Sequence, residues 1–200
     1  MAAITASMVK QLRDETQLPM MECKKALNES AGDMEAAKQR LREAGAKFMA
    51  KRQDRTTDEG RIGVFASVDK GVGAIVELQC ESAPVAGNDE FVQLAADLAE
   101  QLATGPGAAS PEELWSQPSP SKSGKTLEEQ RDEIQNKIRE VFRVSRIERV
   151  DAPCGGFVHM AKIGVLLQVE GGNDDLAKEV ALHVAAMNPS AATKDDLDPA

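Results

Sequence analysis

The sequence predicts an α+β protein, helical in its first part and mixing antiparallel strands with covering helices in its second. Three observations carry this. Apolar residues recur at helical spacing through the first fifty residues, the period shortens to that of strands from Arg61, and a strand-to-helix unit occurs twice in the second part. The expected divisions are a three-helix domain and basic connector over 1–55, an α+β core over 56–189, and a polar tail over 190–200.

In the first part, Thr5 is placed as an N-cap with Ile4 and Val9 as a hydrophobic staple, and Met8, Val9 and Leu12 share a face. This helix is expected to stop before Pro19. A second helix runs through "MMECKKAL", and "SAGD" resets the chain. Asp33 then caps "MEAAKQRLREAG", for which Gly45 is the expected C-terminal glycine. A three-helix unit of this size cannot bury every apolar residue it carries, so Met20 and Met21, beside Arg13, Lys24 and Lys25, are candidates for a docking patch. The basic segment "KFMAKRQDR", Lys47 to Arg55, continues as a partly helical connector.

In the second part, "RIGVFASVD" and "VGAIVELQ" form a β-hairpin around "KG". The loop "CESAPVAGNDEF" follows. Asn88 then caps an amphipathic helix whose apolar face is Phe91, Leu94, Ala95, Leu98 and Leu102. Residues 104–125, rich in Gly, Pro and Ser, read as a long surface connection or a partly disordered one. Thr126 and Glu129 form a capping box opening "LEEQRDEIQNKIREVF". "RVSRIERVDAP", "FVHM" and "KIGVLLQVE" are strands, and "NDDLAKEVALHVAAM" is a helix stopped by Asn188 and Pro189 ahead of a tail expected to be disordered. The repeated unit aligns Gly73 with Gly164 and Asn88 with Asn173, and its two strands are expected to pair. The first copy has six extra residues between strand and helix, all within the loop after Cys80, which makes that loop a functional candidate.

Composition narrows the function. A net charge of −9 argues against nonspecific nucleic-acid binding, since a phosphate backbone rewards cations. Residues 1–55 carry 11 basic and 8 acidic side chains, net +3, leaving −12 for the remainder, so two unlike surfaces are expected. The N-terminus has no signal-peptide pattern and no apolar run spans a bilayer, which predicts a soluble cytoplasmic protein without membrane contact. Cys23, Cys80 and Cys154 are scattered without metal-ligand spacing, so neither a disulfide framework nor a metal site is expected. "SGKT" lacks the glycine of a P-loop at Ser119 and "GVGAIV" opens a strand rather than a helix, so no nucleotide cofactor is expected either. His183, among Leu182, Val184 and Ala185, reads as a structural histidine, and His159 as one exposed in a hairpin. Cys80 ahead of a helix could be an activated thiol, but it has no local base and reads as a small buried residue.

The segment "ITASMVKQLRDETQLPMMECKKALNESAGDMEAA" resembles the N-terminal domain of the elongation factor Ts family, through Leu12, Arg13, Thr16, Met20, Met21, Glu22, Cys23, Lys24, Lys25, Ala26 and Leu27. "VELQCESAPVAGNDEF" looks like the family's second signature, and "KIGVLLQVEGGNDDLAKEVALHVAAMNP" is similar to its later core. The resemblance implies a UBA-like N-terminal domain and a guanine nucleotide exchange factor, not an enzyme, that binds elongation factor Tu carrying GDP and disturbs its magnesium site. Carried over by position, Leu12, Arg13, Met20, Met21 and His159 are partner contacts, and Ser82, Ala83, Pro84 and Val85 are the magnesium-dislocating loop. The family's Thr-Asp-Phe-Val is Ser-Ala-Pro-Val here, so the carboxylate and the aromatic wedge are absent, and Pro84 is expected to keep Ala83 extended. The family also commonly continues past "HVAAMNP" into a helical hairpin and more core, where a polar tail of eleven residues follows Pro189 here. Three other readings stand beside this one: a GTPase-binding protein of the same fold with weak or no exchange activity, a helical adaptor acting through residues 1–55, and a thiol enzyme using Cys80.

Overall fold

A computed structural model describes residues 4–196. The chain opens with α1 (Ala6–Thr16), α2 (Met20–Glu29) and α3 (Met34–Ala50). The Thr5 hydroxyl accepts from the Met8 N–H at 3.3 Å and the Asp33 carboxylate from the Ala36 N–H at 2.9 Å, so both expected N-caps satisfy first-turn donors. Val9, Leu12, Leu18, Cys23, Ala26, Leu27, Ala37 and Leu41 bury together as the core of this domain.

Gly45 does not end α3. It lies buried in mid-helix, where an added Cβ would stand 2.3 Å from the Asn136 Oδ1. The glycine marks a close helix crossing, and the good helix formers after it carry α3 on to Ala50.

The core begins with the hairpin of β1 (Glu59–Ser67) and β2 (Val72–Cys80). After one helical turn, α4 (Ala83–Ala86), comes α5 (Asp89–Thr104), and then α6 (Pro111–Trp115) and α7 (Leu127–Ile138). The strand β3 (Arg143–Val150) pairs antiparallel with β2, giving a sheet of order β1-β2-β3. A second hairpin, β4 (Cys154–His159) and β5 (Ile163–Gln168), is followed by α8 (Asp174–Met187). Alternation along β2 sends Ala74, Val76, Leu78 and Cys80 to one face, where they pack on Phe91, Leu94, Ala95, Leu98 and Leu102 of α5. The Asn88 side chain caps α5, and the capping box of Thr126 and Glu129 opens α7.

The repeated strands β2 and β5 do not pair. They lie in separate sheets packed face to face, and the two matched glycines sit at the contact. A Cβ at Gly73 would meet Leu166 at 2.6 Å, and one at Gly164 would meet Ile62 at 2.5 Å. The glycines are therefore repeated because each hairpin needs a gap to receive the other's apolar side chains. Outside the second hairpin, α8 buries Ala177 and Ala181. His183 is exposed on its far side, contrary to the structural role expected, because only the small-residue stripe of α8 touches the strands.

The stretch 104–125 is a packed strap. Leu114 and Trp115 are buried in the main core, and the Arg131 guanidinium lies 4.9 Å from the centre of the Trp115 ring. Buried Asp97 of α5 anchors the strap, accepting from Gln130 at 2.7 Å, from Gln93 at 2.9 Å and from the Ser121 hydroxyl, while Ser119 donates to Gln130. Removing this acceptor strands the buried Gln130 amide donor and frees Gln93 and Ser121 to water. Asp97→Ala is therefore expected to lower unfolding free energy by about 2 kcal/mol in urea titration and to open Lys122 and Lys125 to trypsin. An unchanged urea midpoint and digestion pattern would refute the anchoring role.

In the polar tail, Lys194–Asp196 form a short 3₁₀ turn rather than the disordered segment expected, and residues 197–200 lie outside the described residues.

Candidate functional site

On the N-terminal domain, Met20 and Met21 open α2 with 52% and 73% of their surface exposed. The inward face of α2 is already filled by Cys23, Ala26 and Leu27, so these side chains have no core to enter. Arg13, Lys24 and Lys25 are exposed as well. Leu12 is not available to a partner: it is wholly buried among the three helices, because it shares the inward face of α1 with Val9. The family resemblance makes it a candidate by position, and the helical period turns it away from the surface.

The loop after β2 is an ordered turn. Ser82 is the extended residue (φ −135, ψ 148), and Ala83 is the first residue of α4 rather than an extended one. Pro84 falls in the first helical turn, where its missing N–H costs nothing, and this outweighs its bias on the residue before it. Ala83 and Pro84 are exposed. Val85 is half-buried, and Ala86 is buried, its carbonyl accepting from the Arg61 guanidinium at 3.1 Å.

Two carboxylates hold the base of this turn. One Glu140 oxygen accepts from the backbone N–H groups of Glu81 and Ser82, each at 3.1 Å, and the other accepts from the Ser82 hydroxyl at 2.6 Å. In return, Glu81 accepts from the Val141 N–H at 2.9 Å and from the Arg55 guanidinium at 2.7 Å. Burial opposes ionisation of Glu81, yet these donors outweigh it and hold its carboxyl below the ordinary value.

His159 is exposed at the end of β4, its ring stacked on Phe157 with centroids 6.5 Å apart. The β4–β5 turn beside it is fixed to the start of β1: the Ala161 carbonyl accepts from the Ile62 N–H at 2.8 Å, and Lys162 pairs with Glu59 at 2.9 Å. Arg61, in the same stretch of β1, holds the opposite flank through Ala86. The start of β1 thus ties together the Ser82–Val85 turn of its own sheet and the His159 turn of the second one.

The N-terminal domain is fastened to the same region. Glu22, one residue beyond the exposed methionines, pairs with Arg139 at 2.6 Å. The guanidinium groups of Arg52 and Arg139 lie 4.2 and 4.8 Å from the centre of the Phe48 ring, and Arg52 donates to the Arg139 carbonyl at 2.8 Å. Arg139 and Glu140, the residues that make these ties, escaped sequence reasoning. "IREVF" reads as continuous helix, whereas α7 stops at Ile138 and Arg139 is left-handed at φ 67. No glycine or asparagine announces that stop.

Cys80 is buried, and burial pushes its thiol up to about 11, with its Sγ donating to the Ser82 carbonyl at 3.3 Å. A nucleophile needs the opposite shift. Iodoacetamide at pH 7 is expected to leave Cys80 unmodified in the folded chain and to label it on unfolding. Labelling of the native protein, read by mass spectrometry, would reverse this assignment. Among the described residues no cluster of three or more His, Cys, Asp or Glu could hold a metal, and no helix is long and apolar enough to cross a membrane.

Residues 84–200 match the family described as "Elongation factor TS". The chain is similar to "Elongation factor Ts" of Azoarcus sp. (strain BH72), 43% identical over 192 residues, covering 94% of this chain and 63% of the relative. It is equally similar, at 43% over 199 residues, to that of Hydrogenovibrio crunogenus, covering 98% and 66%. For Xylella fastidiosa the figures are 44% over 188 residues, covering 93% and 63%. The chain thus spans less than two thirds of the length of these relatives.

Proposed function

The chain belongs to the elongation factor Ts family, and on that premise we propose that it is a guanine nucleotide exchange factor of translation elongation. It binds elongation factor Tu carrying GDP and promotes release of GDP for exchange with GTP. The observation that carries this reading is the convergence of exposed methionines, the Ser82–Val85 turn and the His159 turn on one end of the molecule.

The action needs no catalytic side chain. Met20 and Met21 supply apolar anchors in a basic surround, suited to docking on a folded domain. Ala83 and Pro84 project from an ordered base toward the partner's magnesium site, and loosening that cation weakens its hold on the phosphates. A factor that binds the nucleotide-free partner better than the GDP-bound one must, by linkage, weaken GDP binding to the same degree, typically about 5- to 150-fold.

The test is release of a fluorescent GDP analogue from elongation factor Tu, with and without the chain. Acceleration is expected. Binding without acceleration would instead favour a GTPase-binding protein of the same fold, a reading to which the missing acid and aromatic at Ala83 and Pro84 lend specific support.

A further inference from the structure

We propose that Glu140 is a positioning residue for nucleotide release, fixing the direction in which the Ser82–Val85 turn leaves the sheet. The proposal rests on the exchange reading above.

The strand β2 loses its neighbours where the turn begins. Glu59, the first residue of β1, lies opposite Cys80, and Arg143, the first of β3, lies opposite Gln79. The N–H groups of Glu81 and Ser82 therefore have no strand to bond, and backbone donors in such a place demand another acceptor. The Glu140 carboxylate takes both, and the Ser82 hydroxyl besides. Three donors converging on one carboxylate set the position and orientation of Ser82, and with it the axis of α4. Downstream, Ala83 and Pro84 are exposed, and the next anchor is buried Ala86. Among the described residues the other side-chain bond to Ser82 is that of the Cys80 Sγ to its carbonyl, which leaves these three donors to Glu140 alone.

Glu140 also follows directly on Arg139, which grips Glu22 of α2. One dipeptide thereby spaces the methionine patch and the turn relative to each other. Because the left-handed Arg139 turns the chain out of α7, neighbouring side chains can serve the two parts separately.

The chemistry distinguishes variants. Gln at position 140 keeps one oxygen for the two amides, and its amide NH₂ can donate to the Ser82 hydroxyl, so the cradle survives without the charge. Ala removes both acceptor oxygens and with them all three bonds. Under saturating factor, Glu140→Ala is expected to slow GDP release about tenfold relative to wild type, as misdirected groups do. Affinity for the nucleotide-free partner should stay within about threefold. Hydrogen exchange at the Glu81 and Ser82 amides should rise in the same variant, and Glu140→Gln should restore both the rate and the protection. A merely structural role predicts affinity and saturated rate falling together. That outcome, unchanged exchange at the two amides, or raised exchange with an undiminished rate would each overturn the proposal. A wild-type chain that does not accelerate release would sink the exchange reading and this inference with it, whereas acceleration retained by Glu140→Ala sinks the inference alone.

Discussion

Replacing Ala83 by Asp together with Pro84 by Phe is expected to raise the rate of GDP release from elongation factor Tu about tenfold, within the range of ordinary coupling energies. The two positions are exposed at the start of α4, so neither new side chain has to enter the core. An aspartate in the first turn suits the partial positive charge of the helix start. The N–H that phenylalanine restores is one of the first-turn donors that water satisfies. The base held by Glu140 is untouched, so the new carboxylate and ring are presented from the same place as the present apolar tip. Such surface changes normally move stability by no more than about 0.5 kcal/mol. A matched thermal unfolding curve therefore separates a change of push from a change of fold. Unaltered or slower release, with the fold intact, would mean that the turn does not act on the magnesium site.

The local grammar of this fold was legible where a side chain acts on its own neighbourhood. Thr5, Asp33, Asn88 and the pair Thr126–Glu129 cap the helices expected of them, and Asn173, aligned with Asn88 in the repeat, caps α8, since each bond spans three residues or fewer. The apolar face of α5 and both hairpins follow from periodicity for the same reason.

What remained hidden depends on partners far along the chain. Gly45 looks like a helix end until Asn136 is seen against it, 91 positions later. Arg139 looks helical until its carbonyl is met by Arg52 and its side chain by Glu22. The strap looked featureless because its Gly, Pro and Ser outnumber the buried apolar residues, Leu114 and Trp115, that help to pin it. The candidate site divides along the same line. The exposed methionines and the loop position could be read from sequence. The cradle beneath the loop could not, because Glu140 lies some sixty residues from the backbone it holds.

Met20→Ala with Met21→Ala is expected to weaken binding to elongation factor Tu by about 2–3 kcal/mol, roughly 30- to 150-fold, the loss typical of apolar anchors at an interface centre. Thermal stability should not move, because both side chains already stand largely in water. Leu12→Ala makes the contrast. Leu12 has no exposed surface, so its truncation should cost about 2–5 kcal/mol of stability in the N-terminal domain and reduce binding only through unfolding. The methionine variant also separates the two halves of the site. If the patch docks and the turn acts, the double substitution shifts the factor concentration needed for half-maximal release and leaves the plateau rate alone, because the bound complex still presents Ala83 and Pro84. If residues 1–55 were a self-sufficient adaptor, the same change would abolish all detectable complex with no plateau to recover. Titrating GDP release against the variant to saturation distinguishes these outcomes. A lowered plateau would show that the methionines take part in the release step itself, contrary to the division argued from their distinct places in the fold.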